Sequence, residues 1–202
     1  ADYWLRPDGD APLLRSAEAE AYAHRSTVKG LVRDLVSTHE RHSARGLRAQ
    51  IHAAAQGLDR ALPELYAGEQ LLREEQWQAM CRNCGVDTIG TQVTARPAVA
   101  VRRADVRLLP TEEGWYEAPD DVRYDALQGT VLDPGEAVLL LHHTMDGHFA
   151  FIETRDYRGW VDARAIAHAD AQTWRTFAAP KEFFTVTAAQ LTLGEEGLCY
   201  QL

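Results

Sequence analysis

Two apolar runs, Val138-Leu-Leu-Leu-His-His143 and Phe149-Ala-Phe-Ile-Glu153, flank the turn Asp146-Gly147 and predict a β-hairpin. Pro134-Gly135 before the first run and Arg158-Gly159 after the second predict further turns. Short strands punctuated in this way from Val101 to Ala169 argue for a small β-barrel rather than a βαβ unit. The N-terminal half has a different rhythm. Ser16 is placed to cap a helix through Ala17–Arg25, with Glu18 and Glu20 in the first turn. Leu47, Ile51, Ala54 and Leu58 recur at helical spacing within Ser43–Gln56 and beyond, with Gly57 as a stop. A third helix is predicted over Glu69–Asn83, carrying Leu72, Ala79 and Met80 and closing at Gly85. Stripes this narrow need a partner surface, and the barrel supplies one.

Between these parts, Gly90–Pro97 reads as a polar crossover. Thr111–Gln128, with Gly114, Pro119 and Asp120-Asp121, reads as a long loop between strands. A short helix is expected near Ala169–Ala178, with Trp174 and Phe177 three residues apart and Pro180 beyond them. Strand-like composition returns at 181–187, and Leu191, Leu193, Leu198 and Tyr200 suggest that a new β unit begins there. The expected fold class is α+β. The expected divisions are a helical segment over 1–95, a barrel with its short helix over 96–180, and an incomplete second β unit over 181–202.

An apolar fraction of 46 % with 25 % charged residues suits a chain that buries a core. The formal net charge of −9 repels phosphate backbones and argues against nucleic acid as a partner. No apolar run approaches the ~18–20 residues of a membrane span, and the N-terminal residues do not read as a charged-then-apolar signal segment. Three cysteines allow at most one bridge and leave the redox compartment open.

Arg103-Ala-Asp-Val-Arg-Leu-Leu-Pro-Thr111, Tyr124-Asp-Ala-Leu-Gln128, Pro134-Gly-Glu136, Leu141-His142, Asp146-Gly147 and Tyr157-Arg-Gly-Trp160 follow one another in a telling order. Residues 98–187 thereby resemble the first bacterial SH3 (SH3b) domain of NlpC-type cysteine peptidases. These enzymes are γ-D-glutamyl-L-diamino acid endopeptidases that trim cell-wall peptides. Residues 1–95, with Tyr3-Trp4, resemble the stabilising helical segment of such enzymes, and the tail after Phe183 resembles the start of a second SH3b domain. The papain-like catalytic domain that follows in the family has no counterpart in these residues, so no catalytic residue is expected here. The resemblance implies no cofactor, a catalytic partner domain C-terminal to the chain, and an extracytoplasmic location in the periplasm or cell envelope. Recycling of wall peptides in the cytoplasm is the alternative location. A free-standing peptidoglycan-binding or adaptor module is the alternative function. Recognition of proline motifs is disfavoured, because the Ala-Leu-Tyr-Asp-Tyr run that builds the aromatic groove of eukaryotic SH3 domains is missing.

Individual residues sharpen these expectations. Glu136 follows a Pro-Gly turn and Tyr157 precedes another, so both can project from one rim. By resemblance they line the active-site cleft and contact the free amino group of the substrate's N-terminal L-alanine. A partly desolvated carboxylate pairs well with an ammonium and rejects an acylated amine. Trp115 and Tyr116 are open to two readings, ligand contact or packing on the helical segment, and Arg158 is a further candidate contact. Trp160 is expected in the core. A nucleophilic cysteine needs a base. Cys199 has no histidine after it, whereas Cys81 and Cys84 precede His142, His143, His148 and His168. Both earlier cysteines lie at a helix C-terminus, where the dipole disfavours a thiolate, and their flanks lack the family's nucleophile signature. Cys81-Arg-Asn-Cys84 is therefore expected to be two buried thiols or a local disulfide. Half a zinc site completed by His39 and His42 ranks behind. Of the adjacent His142 and His143, one is expected to face solvent and the other the barrel.

Overall fold

A computed structural model of the chain describes residues 15–38, 42–59, 64–119, 121 and 123–182, and the backbone of 190–193 and 198–201. Residues 1–33 and 34–202 form two units. The first contains α1 (Ser16–Val28). Ser16 is already helical, and the Glu18 carboxylate instead accepts the Arg15 N–H at 2.8 Å, so an acid of the first turn provides the cap.

The second unit opens with α2 (Leu35–Thr38), β1 (His42–Ser43) and α3 (Ala44–Asp59). The Ser43 hydroxyl accepts the Gly46 N–H at 3.2 Å and caps α3, whose Leu47 and Ile51 are buried as their spacing predicts. Gly57 does not end this helix, which continues to Asp59. The helix expected from Glu69 is shorter than predicted. Tyr66–Ala67 (β2) and Gln70–Leu71 (β3) form a small hairpin around Gly68, and α4 covers only Glu74–Asn83. Gly85 beyond it takes φ +60, as a residue following a helix end requires. Within the expected crossover, Gln92–Val93 (β4) pairs with β1.

The remaining elements are β5 (Arg96–Ala100), β6 (Ala104–Arg107), β7 (Trp115–Tyr116), β8 (Gln128–Leu132), β9 (Ala137–His143), β10 (Phe149–Glu153), β11 (Arg158–Asp162), β12 (Ile166–His168), α5 (Ala171–Ala178), β13 (Gln190–Leu193) and β14 (Leu198–Gln201). Seven of these strands form one antiparallel sheet in the order β12-β5-β9-β10-β11-β6-β8. The predicted hairpin is the β9–β10 pair. Arg158-Gly159, expected as a turn, lies inside β11; the reversal is made by Thr154–Tyr157, where the Thr154 N–H donates to the Tyr157 carbonyl at 2.9 Å. β13 pairs with β14, while 183–187 of the expected strand-like stretch lie outside the described residues.

Alternation along the strands sends side chains to two faces. On one face Ala98, Ala100, Val106, Leu132, Val138, Leu140, Ala150, Ile152 and Val161 form a single core. Six strands contribute to it, so the sheet wraps around it as a small barrel. On the other face Val99, Leu139, Leu141, Phe149, Phe151 and Trp160 meet Leu35, Leu47 and Ile51 of α2 and α3 and Trp174 of α5. The Trp174 indole N–H donates to the Val138 carbonyl at 3.0 Å, which anchors α5 to β9. The fold is thus α+β, and among the described residues no helix is long and apolar enough to cross a membrane.

Candidate functional site

The antiparallel pairing of β9 with β10 brings Glu153 opposite Leu139, so the β8–β9 and β10–β11 turns occupy the same end of the barrel. The first is Asp133-Pro-Gly-Glu136. Gly135 takes φ +91, its N–H donates to the Ala100 carbonyl at 2.8 Å, and the Glu136 N–H donates to the Asp133 carbonyl at 3.1 Å. The Glu136 side chain folds back to accept the Asp133 N–H at 3.2 Å. Although the residue is exposed, burial of its carboxylate against the turn holds it above the usual carboxylate range. The Asp133 N–H and Arg103 oppose that shift, while the charges of Asp133 and Asp156 add to it. Tyr157, half-buried on the neighbouring turn, lies across Gly129. A Cβ there would stand 2.3 Å from the tyrosine oxygen, so the bare backbone of β8 leaves room for the ring. Burial raises the Tyr157 phenol above its ordinary value. The two turns therefore carry an acid held above its ordinary value and a half-buried phenol.

Arg158 is paired within the barrel. Its Nε and Nη2 donate to Glu153 Oε1 at 2.9 and 2.5 Å, and Glu153 itself is fully buried. The other carboxylate oxygen lies 3.4 Å from His42 Nε2, so β1 is tied to the barrel through a buried acid. Trp115 is 1 % exposed and packs against Trp77 with ring centroids 6.1 Å apart, within a core that also holds Leu65, Leu109 and Leu127. Of the two readings open for Trp115, its surroundings are those of packing. Tyr116 is half-buried beside it, with its ring over Gly114. Asp125, which the sequence did not single out, accepts the N–H groups of Trp115 (3.0 Å) and Leu127 (2.9 Å) and pairs with buried Arg107 at 2.8 Å. Trp160 is fully buried, as expected.

Cys81 and Cys84 stand as thiols rather than as a disulfide. Burial, with a smaller effect from Cys81, pushes the Cys84 thiol up to about 12, far from a nucleophile's range. His142 Nε2 meets the backbone carbonyl of Cys84, at 3.0 Å. His142 and His143 are both half-buried, so neither faces open solvent as the alternation suggested. A β-bulge between Phe151 and Ile152 disturbs the alternation just there. His148 and His168 are exposed. His42 is engaged with Glu153, and His39 and the Cys199 side chain lie outside the described residues. Among the described residues no group of three or more His, Cys, Asp and Glu side chains is placed to hold a metal.

The wrapped sheet with its rim turns can be set against known families. Residues 115–162 match the SH3 domain of SH3b1 type. This stretch is an SH3b domain. The SH3b resemblance drawn from the motifs therefore holds over these residues. An NlpC/P60 endopeptidase from Photobacterium damselae subsp. piscicida has a similar fold, with a TM-score of 0.61 over 85 % of this chain at 14 % identity. The match covers 41 % of that protein's chain, so the present sequence spans well under half of its length. No curated protein matches the sequence.

Proposed function

We propose that this chain is the non-catalytic, substrate-facing part of a cell-wall peptide endopeptidase. In this reading 1–95 steadies the assembly, the SH3b barrel within 96–180 forms one wall of the substrate cleft, and 181–202 begins a second SH3b domain. A catalytic domain C-terminal to the chain hydrolyses the γ-D-glutamyl to diamino-acid bond with a Cys–His pair. The protein works outside the cytoplasm. The observation that carries this reading is the SH3b domain set in a fold like that of an NlpC/P60 endopeptidase. The rim supports it further. Glu136 and Tyr157 lie on adjacent turns, where a carboxylate and a phenol suit the free ammonium of an N-terminal L-alanine.

A nearby cation favours the charged form of a carboxylate, so a docked ammonium opposes the upward shift that burial imposes on Glu136. Replacing Glu136 by Gln in the complete enzyme is expected to weaken binding of a free-amine wall peptide by roughly tenfold or more, the value of one charge-assisted contact. It should leave the N-acetylated peptide unaffected. Equal affinity of wild type and variant for the free-amine peptide would overturn the assignment. The absence of a nucleophilic Cys–His pair among the described residues also suits a second reading, a free-standing wall-binding module. Residues 1–202 sedimenting with intact peptidoglycan, together with an intact native mass near 22.6 kDa, would favour that reading.

A further inference from the structure

A cleft of about 460 Å³ opens between the segment that leads into and forms β6, Phe149 at the start of β10, and Asp162 and Arg164 at the end of β11. Four arginines line it, Arg102, Arg103, Arg107 and Arg164, and so do three acids, Asp105, Glu112 and Asp162. Most of these charges already have partners. Asp162 takes both Arg102 and Arg164, the latter through Nε at 3.0 Å and Nη2 at 2.8 Å. Glu112 accepts a further bond from Arg164 Nη2 at 3.1 Å. Arg103 pairs with Asp133 and Arg107 with Asp125, two acids that do not line the cleft. Asp105 differs from the other acids of the lining. It is exposed on β6, accepts the Gln128 amide N–H at 3.1 Å, and pairs with no cation among the described residues. Arg102 uses one terminal nitrogen on Asp162 and Arg103 one on Asp133. A guanidinium carries five N–H donors, so both arginines keep donors for a further acceptor. Phe149, buried but reaching the cleft, supplies an apolar wall.

We propose that this cleft binds a free α-amino acid with an apolar side chain. A ligand bearing only negative charge would meet three carboxylates, and one bearing only positive charge would meet four guanidinium groups. A group with one charge of each sign on a single carbon finds its opposite on both sides. Its carboxylate suits the planar forks of Arg102 and Arg103. Its ammonium suits Asp105, and its side chain lies along Phe149. The volume falls in the lower part of the ~300–1,000 Å³ range of small-molecule sites. The site needs neither Glu136 nor a catalytic domain, so it is independent of the endopeptidase reading.

The test is a titration of the 202-residue chain, followed by amide chemical shifts, with three probes that share one hydrocarbon chain. These are L-norleucine, hexanoate, which lacks the ammonium, and pentylamine, which lacks the carboxylate. Norleucine is expected to give saturable shifts at Ala104, Asp105 and Phe149. Each partial probe should bind more weakly by about tenfold or more, the value of one charge-assisted contact. Asp105→Asn keeps an amide oxygen to accept from Gln128 at an exposed position. It should weaken norleucine by a similar factor and leave hexanoate unchanged. Arg102→Gln should weaken norleucine and hexanoate and leave pentylamine unchanged. Absence of saturable shifts with norleucine would overturn the proposal. So would hexanoate or pentylamine binding as tightly as norleucine, or full norleucine affinity in Asp105→Asn.

Discussion

Arg107 and Asp125 show how a single charged pair organises a loop. Arg107 is 5 % exposed, and its guanidinium meets the Asp125 carboxylate at 2.8 Å and the Glu113 carbonyl at 2.9 Å. Asp125 in turn holds the backbone N–H groups of Trp115 and Leu127, which places the buried indole under the loop. Removing the acid leaves a buried cation without its partner, a change that typically costs about 3–5 kcal/mol. Asp125→Ala is therefore expected to lower the free energy of unfolding by about that amount in urea titrations, more than an Ala substitution at exposed Arg123. An equal, small effect at both positions would show that the pair is not structural. The two residues stand in separate motifs of the sequence, and nothing in either motif names the other as its partner.

At the scale of elements, the strands announced by apolar runs were legible and the two-residue strands were not. Val138–His143 and Phe149–Glu153 carry enough consecutive apolar positions to be recognised, whereas β1, β2, β3, β4 and β7 are two residues each, too short for any period to repeat. They exist because tertiary neighbours pair with them: β2 with β7, and β1 with β4. Arg158-Gly159 misled for a related reason. Gly159 is there because backbone comes close, not because the chain turns: a Cβ would lie 2.7 Å from the Arg107 carbonyl and 2.8 Å from Val106 Cγ1. Gly159→Ala should push β11 away from β6 and destabilise the barrel by about 1–3 kcal/mol. Loss of amide protection in both strands is expected in hydrogen exchange, and unchanged protection there would refute the account.

On the scale of the whole molecule, burial of histidines links stability to pH. Burial is the leading cause that holds His42, His142 and His143 below the ordinary imidazole value. Burial in the folded chain disfavours their charged form, while the unfolded chain protonates them near about pH 6.5. Their contribution is thus fully present above that pH and is lost as pH falls through it towards the folded values. Glu136, held high, acts in the opposite sense from the ordinary carboxylate value upward. The urea midpoint is expected to drop from about pH 7.5 to about pH 5.5, and to drop less in His142→Gln. An identical drop in the variant would remove His142 from the explanation. The sequence alone determined the α+β class, the central hairpin, the SH3b motifs and the buried Trp160, because local periodicity and turn chemistry write these along the chain. Tertiary structure alone decided that Arg158 is taken up by Glu153, that Trp115 packs against Trp77, and that Arg107 pairs with Asp125. These are contacts between residues far apart in sequence, and only closure of the sheet and docking of the helices bring them within reach.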